Sequence, residues 1–454
     1  MGRFRPRQDT ETMSSAEPQP MEFAPAGPLT GVARVPGDKS ISHRALMISA
    51  MARGRSRIEG LLTGADVMST AAALRAMGAT IEADRSGAYE VDGLGAGALL
   101  EPAGPLDMGN SGTSARLLMG LVASHPIAAT FTGDASLSRR PMARVVRPLE
   151  RIGAAFLGPA GDRLPLTIRG ASPALALVHR MEVASAQVKS ALLLAALNTP
   201  GTTEVVEPIP TRDHSERMLK LFGAPLEIAA GANGERRLRL TGQAELRPQQ
   251  LQVPGDISSA AFLVVAALVV PGSDLRIENV GINPLRTGLI DALREMGGQI
   301  ELSDERKIGG EPVADLRIRH SRLRGIDTAP EAAPSMIDEF PIFFIAAAFA
   351  EGTTRTSGLA ELRVKESDRI AAMATGLRAI GVSAAEQPGG LVIEGSAGAP
   401  IAGGGAVDPR LDHRIAMSFA VAGLHARRAV RVLDMSPVAT SFPDFAATLE
   451  GLAA

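Results

Sequence analysis

No cysteine occurs anywhere in the chain, and this one absence excludes disulfides, zinc–thiolate centres and a thiol nucleophile together. It does not fix the compartment, and a cytoplasmic location is the expectation. An excess of either charge is lacking too: 47 lysines and arginines face 49 aspartates and glutamates, for a formal net charge of −2. So even a balance argues against a nucleic-acid coat or a binder of anionic membranes, and any basic site has to be local. Long apolar runs are missing as well. Ala260–Val270 and Ile342–Ala350 fall short of the roughly 20 residues a bilayer demands and read as buried helices. Residues 1–27 carry Arg3, Arg5 and Arg7, then Pro, Ser, Gln and Glu, without the apolar stretch of a secretory signal; they read as a flexible polar tail outside the fold.

What is present is repetition. The 454 residues exceed one ordinary core, so two domains of about 200 residues are expected. One kind of helix opens on a short polar cap and is then apolar and small on every face, the mark of a buried helix. It starts at Ser40, Asn110, Ser185, Asp256, Asp338 and Asp412. A second kind is amphipathic and stops at a glycine before a strand, at Gly78, Gly153, Gly223, Gly297 and Gly381, with a degraded sixth copy at Phe445–Leu452. Strand-like segments lie between, at Arg57–Leu61, Leu166–Arg169, Gly201–Val206, Leu238–Thr241, Leu275–Val280 and Leu391–Glu394. The chain thus reads as six copies of one α/β unit of about 75 residues. RVPGDKS at Arg34–Ser40 is echoed by QVPGDIS at Gln252–Ser258, which marks two crossings, near 34–37 and 252–255. The expected first lobe is 36–253, and the second combines 28–35 with 254–454.

Chemistry concentrates where the buried helices begin. PGDKSISHR at Pro36–Arg44 sets an ammonium (Lys39), a hydroxyl (Ser40) and a guanidinium (Arg44) around one helix N-terminus, where free amides and the macrodipole already favour an anion. In NSGTSAR at Asn110–Arg116, Gly112 lets a ligand approach the backbone while Asn110 and Thr113 offer hydrogen bonds. Arg139, Arg140 and Arg144 cluster around Pro141, and Ser185 and Gln187 head the third buried helix as uncharged donors and acceptors. Arg212 and His214 in PTRDHSE suit a structural role as well as a binding one, and Asp256–Ser259 suits an ordinary cap equally. Asp338 stands at the entrance of an apolar helix, where desolvation invites cationic partners. In LRVKESDR, Lys365 and Arg369 would share one helix face with Glu366 beside them. Asp412–Arg414 caps the last buried helix, with His413 read as a packed cap residue.

Taken together, PGDKSISHR, GNSGTSAR, SAQVKSALLL, LRVKESDR, LDHRIAMSF and TSFPDF resemble the 5-enolpyruvylshikimate-3-phosphate synthases, in order over about residues 28–450 and with details of the class II bacterial branch. The resemblance implies a two-lobed inside-out α/β barrel of six βαβαββ units, three per lobe, with helix N-termini facing the cleft. It implies transfer of the enolpyruvyl group of phosphoenolpyruvate to the 5-hydroxyl of shikimate 3-phosphate, without metal or cofactor, by a monomer that binds neither nucleic acid nor membrane. Carried over by position, Lys39, Ser40, Arg44, Ser185, Ala186, Gln187, Arg212, Asp338 and Lys365 would hold shikimate 3-phosphate. Lys39, Gly112, Arg140, Gln187, Arg369 and Arg414 would hold phosphoenolpyruvate. Asp338 would be the general base, with Glu366 and Lys39 delivering the proton to the methylene. Thr440 stands where many relatives carry lysine, and Gly112 implies sensitivity to glyphosate because no methyl group crowds the pocket. The alternatives are a UDP-N-acetylglucosamine enolpyruvyl transferase, which usually employs a loop cysteine absent here, and a silent anion-binding homologue.

Overall fold

All six apolar stretches form helices, in a computed structural model that describes residues 18–158, 162–231 and 234–453. They are α1 (Lys39–Met51), α2 (Gly112–Ala123), α3 (Ala186–Ala196), α4 (Ile257–Val269), α5 (Phe340–Phe349) and α6 (His413–Gly423). Five are started by a Ser or Asp side chain that accepts from a first-turn amide: Asp38 from Ile41 (2.9 Å), Ser111 from Ser114 (3.1 Å), Ser185 from Val188 (3.4 Å), Asp256 from Ser258 (2.9 Å) and Asp412 from Arg414 (3.0 Å). The exception, α5, has no side-chain cap and carries Pro341 in its first turn, where the missing N–H costs nothing. It begins two residues after Asp338, so that carboxylate lies ahead of the helix and is free to face elsewhere.

The amphipathic helices end as expected, with Gly78, Gly153, Gly223, Gly297 and Gly381 at φ from +82° to +103°, a region that costs other residues about 1–2 kcal/mol. The expected strands are all found, with ends displaced by a few residues. The described residues build six small sheets, one per unit, and the expected strands lie in five of them. Two hydrophobic cores result. One draws on residues between Ile41 and Val253, the other on Phe23–Ala33 and residues from Ile257 to Leu452. No single described helix is long and apolar enough to cross a membrane.

The sheets also show how the chain passes between the cores. We name β1 (Met21–Phe23), β2 (Thr30–Arg34), β3 (Arg53–Glu59), β4 (Gln250–Gln252), β5 (Asp274–Gly281) and β6 (Val430–Val432). Strand β2, which leads into α1, lies parallel to β5 beyond α4, while β4, which leads into α4, lies parallel to β3 beyond α1. The two VPGD turns therefore cross, and they bond reciprocally: Asp38 N to Pro254 O (2.8 Å) and Asp256 N to Pro36 O (2.9 Å).

One expectation needs correcting. Residues 18–27 are not a free tail, because β1 pairs antiparallel with β6 (Met21 opposite Val432), Gln19 N donates to Asp434 (3.1 Å) and Phe23 is buried. The sixth unit has its amphipathic helix at Phe445–Leu452 but no antiparallel strand of its own, and β1 supplies one from the other end of the chain. A strand of three residues, with Phe23 alone buried, is too short to leave a periodic trace. Residues 1–17 of the expected tail lie outside the described residues.

The crossing is tight enough to test. A Cβ on Gly37 would sit 1.9 Å from the carbonyl oxygen of Gly60, whereas one on Gly223 meets nothing and suffers only from φ +84°. Calorimetry should therefore show Gly223→Ala losing about 1–2 kcal/mol and Gly37→Ala several times more. Equal losses would mean that the crossing tolerates a side chain.

Candidate active site

Between the two cores lies a cavity of about 340 Å³, and the beginning of every buried helix reaches its wall. From one core come Lys39 and Ser40, which open α1, Gly112 and Thr113 in α2, and Ser185, Ala186 and Gln187 at α3. From the other come Asp256 and Ser258 at α4, Ile337 and Asp338 ahead of α5, and His413 and Arg414 in α6. Six helix N-termini thus lie at or just behind one wall, each the positive end of a helix dipole. Lys39, Arg116, Arg140, Arg144, Arg212, Arg286, Lys365 and Arg414 add eight cations to the wall against five carboxylates, a local surplus in a chain of net negative charge.

The side chains form interlocked sets. Asp338 is the centre of one: its carboxylate pairs with Arg212 from the opposite core, with Lys365 (3.5 Å) and with Arg369 (3.3 Å), and its carbonyl accepts from Arg414 (3.0 Å). Burial alone would raise its pKa, but Lys365, Arg212, Arg414 and Arg369 together hold it well below the usual carboxylate range. Glu366 is likewise held low, against burial, by Arg369 (2.6 Å) and by Arg140 across the cleft (3.6 Å). Lys39 pairs with Asp66 (3.1 Å). Gln187 accepts from Arg116 (3.2 Å) and Arg144 (3.4 Å) on its oxygen and donates to Thr113 (3.2 Å), so its amide has one fixed orientation. Arg140 is aimed by Asn110, which accepts at 2.6 Å and itself donates to Asp134 (2.7 Å). His413 is driven well below the ordinary imidazole range by burial and by Lys39, so its ring is neutral.

Of the fourteen residues that the resemblance assigns, twelve reach the wall: Lys39, Ser40, Gly112, Arg140, Ser185, Ala186, Gln187, Arg212, Asp338, Lys365, Glu366 and Arg414. Arg44 and Arg369 stand one layer behind it. Arg44 donates to Ser215 (2.7 Å), Ser190 (2.8 Å) and the Ser40 carbonyl (2.8 Å), with no carboxylate within 4 Å among the described residues. Arg369 is locked by Asp412 (2.8 Å) and Glu366. Lys365 and Arg369 do not share a helix face as expected. Lys365 ends a 3₁₀ turn at Ala360–Val364 and Arg369 opens the helix Arg369–Ala379, and the two meet only through Asp338. Arg139 does not reach the wall, while its neighbour Arg144 does and pairs across the cleft with Glu361 (3.5 Å).

This geometry agrees with comparison to known proteins. A family model described as EPSP synthase (3-phosphoshikimate 1-carboxyvinyltransferase) matches residues 23–449. The chain belongs to the EPSP synthase family. It is 61% identical over 444 residues to the 3-phosphoshikimate 1-carboxyvinyltransferase of Sphingopyxis alaskensis, covering 97% of this chain and all of the relative. To that of Novosphingobium aromaticivorans it is 61% identical over 435 residues, covering 95% and 99% of the two chains. Among solved structures, the EPSP synthase of Acinetobacter baumannii superposes with a TM-score of 0.85 at 44% identity, over 96% of this chain and 98% of that one. The enolpyruvyl transferase NikO of Streptomyces tendae shares the fold, with a TM-score of 0.76 at 19% identity over the same shares.

The sequence reading missed Arg116, the second arginine of this EPSP synthase cleft that has no carboxylate within 4 Å among the described residues. It bonds only to Gln187, the Gly112 carbonyl (3.4 Å) and the Pro141 carbonyl (3.2 Å). Burial, with Arg144 and Arg140 nearby, lowers its pKa to about 9, the mark of a guanidinium short of counter-charge. A charged residue inside the otherwise apolar α2 was the available signal. Arg286, Asp66 and Glu361 had none: Arg286 lies in a turn, Asp66 in the first turn of the helix Ala65–Ala76 and Glu361 in the 3₁₀ turn, and no motif marks any of them.

The depressed carboxylates give stability a pH signature. A group whose pKa falls on folding stabilises above its unfolded value, about 4.3 for Glu, and loses that contribution as pH falls through the folded value. The Tm of the wild type should accordingly drop more steeply below about pH 4.3 than that of Glu366→Gln. Parallel acid limbs would show that Glu366 is not held ionised by its arginines.

Proposed function

We propose the following division of labour in the cleft for the reaction of this family. The enzyme is a transferase of the shikimate pathway, the route to the aromatic amino acids. It moves the enolpyruvyl group of phosphoenolpyruvate to the 5-hydroxyl of shikimate 3-phosphate and releases phosphate. Each substrate carries a phosphate and a carboxylate, and the observation that bears most weight is the surplus of cations and helix N-termini around one small cavity lined by Asp338. Shikimate 3-phosphate is held by Lys39, Ser40, Arg44, Ser185, Ala186, Gln187, Arg212, Asp338 and Lys365. Phosphoenolpyruvate is held by Lys39, Gly112, Arg140, Gln187, Arg369 and Arg414, and Arg116 joins this set. Arg44 and Arg116 are buried guanidiniums with no ionic partner within 4 Å among the described residues, which is an unfavourable state that an anion relieves.

In the addition step the 5-hydroxyl oxygen attacks the central carbon of phosphoenolpyruvate, and Asp338 accepts the hydroxyl proton. Glu366, assisted by Lys39, delivers a proton to the methylene carbon, making it a methyl group. In the elimination step that methyl group returns a proton to Glu366, the double bond re-forms, and phosphate leaves with the hydroxyl proton that Asp338 had accepted, which restores the Asp338 carboxylate. The cations that weaken Asp338 as a base in the empty cleft are those the substrate anions compete for. Binding therefore loosens their grip and raises its basicity, and the same exchange at Arg140 and Arg369 lets Glu366 carry a proton.

Ion pairs spanning the cleft, Arg140–Glu366 (3.6 Å) and Arg144–Glu361 (3.5 Å), support closure of two lobes, 36–253 and 28–35 with 254–454, about crossings near 34–37 and 252–255. Closure expels water and strengthens each charge contact. We further propose a cytoplasmic monomer that needs no metal or organic cofactor.

Two measurements test these assignments. Steady-state phosphate release should require phosphoenolpyruvate with shikimate 3-phosphate and not with UDP-N-acetylglucosamine, and Asp338→Ala should lower kcat by about 10²–10⁴ with smaller changes in KM. Comparable turnover in the variant would remove Asp338 from the mechanism. At Gly112 a Cβ would stand 2.7 Å from Arg116 Nη1 and 3.3 Å from Arg140 Nη1. Displacing them costs the equivalent of one charged hydrogen bond, so Gly112→Ala should raise KM for phosphoenolpyruvate by about tenfold or more while leaving that for shikimate 3-phosphate unchanged. Equal shifts in both would place Gly112 outside the phosphoenolpyruvate subsite.

A further inference from the structure

Arg286 lies in the loop between β5 and the helix Gly288–Glu295, is 3% exposed, and lies among charges drawn from both cores. Its Nη1 is 3.5 Å from Asp38 Oδ2 and 3.5 Å from His214 Nε2, both in the first core. Its Nη2 donates to Ser258 Oγ (2.7 Å) and lies 3.4 Å from Glu339 Oε1 and 3.8 Å from Asp256 Oδ1, all in the second. Ser258 in turn donates to Glu339 Oε1. Because a guanidinium only donates, His214 presents a bare Nε2 to it and gives its Nδ1 proton to Glu311 (2.8 Å).

The partners of Arg286 are neighbours of the residues that carry the chemistry. Asp38 caps α1 and is bonded in sequence to Lys39, and Glu339 follows Asp338 directly and accepts from the Phe343 amide (3.0 Å) as α5 begins. Asp256 caps α4 at the reciprocal VPGD crossing. One guanidinium thus joins the first residues of three helices across the boundary between the cores. We propose that Arg286 is a positioning residue: by bridging Asp38 and Glu339 it sets where Lys39 and Asp338 stand relative to each other in the closed cleft. This rests on the roles proposed above for Lys39 and Asp338.

Without that cation, closure would press three carboxylates together in a dry space. The other charges facing the cluster do not replace it. Arg414 lies 3.8 Å from Glu339 but is committed to the Asp338 carbonyl, Arg212 is committed to the Asp338 carboxylate, and His214 is committed to Glu311. Even with Arg286 in place, burial and the nearby Asp38 push the Asp256 carboxyl up to about 6. Removing the guanidinium makes closure require proton uptake, and acid then favours the closed state.

The test is kcat and both KM values for wild type, Arg286→Met and Arg286→Lys from pH 6 to 9, with the full-length enzyme and both substrates. Misplacement of reacting groups by about 1 Å costs on the order of 100-fold. Arg286→Met should therefore lose about 10- to 100-fold in kcat at pH 8 with each KM within about threefold, the loss shrinking as pH falls, and Arg286→Lys should recover most of it. A loss independent of pH, or one carried by KM, overturns the proposal. Should Arg286→Met not fold, Arg286→Lys and Glu339→Gln serve: each should lower kcat, and the double variant should be less impaired at pH 8 than the product of the two losses, whereas multiplicative losses overturn the proposal. An inactive wild type would instead overturn the proposed function, and unchanged kcat in the Arg286 variants alongside an impaired Asp338→Ala would overturn this inference alone.

Discussion

Cations gathered around one small cavity repel one another, and part of the counter-charge that lets the protein tolerate them comes from across the cleft. Arg140 meets Glu366, Arg144 meets Glu361, and Arg212 meets Asp338. At a few ångströms in a poorly solvated space such contacts are worth far more than the same pairs at the surface. Their partners are also what two multiply anionic substrates would displace. A single set of charges can therefore hold the cleft together when empty and hold the substrates when full, provided the two states are close in free energy.

That balance depends on a scaffold which places six helix starts in register. The repeated unit does so by burying each helix on all sides and starting five of them with a short Ser or Asp side chain. The cap satisfies one amide and leaves others directed at the cavity. The crossed VPGD turns do the rest: by exchanging β2 and β4, each core borrows an edge strand delivered by the segment that leads into the other core's first helix. The junction is held by two reciprocal backbone bonds and by Arg286, so what joins the cores is narrow, polar and buried.

The buried helices, the glycine stops and the strands between them were readable because each has a local cause: an apolar surface of fixed period, a cap, or a left-handed residue. The same locality explains the misses. Strand β1 exists only because the sixth unit, some 400 residues away, lacks an antiparallel strand. The placing of Lys365 and Arg369 failed because four-residue spacing implies a shared face only inside a helix, and a break falls between them. The orientation of Arg44 was not legible for the same reason, since Ser190 and Ser215, which hold its guanidinium, come from other helices.

The chain's own order of residues determined the repeat, the capped helices, the duplicated crossing and the roster of charged and small residues near helix starts, because all of these are written within a turn or two of chain. Tertiary structure alone decided which charges meet: that Asp338 gathers four cations from three separate segments, that Arg116 and Arg44 have no carboxylate within 4 Å among the described residues, and that Arg286 joins Asp38 to Glu339. Electrostatic pairing depends on distance in space, and residues more than a hundred positions apart acquire a distance only when the sheets have closed.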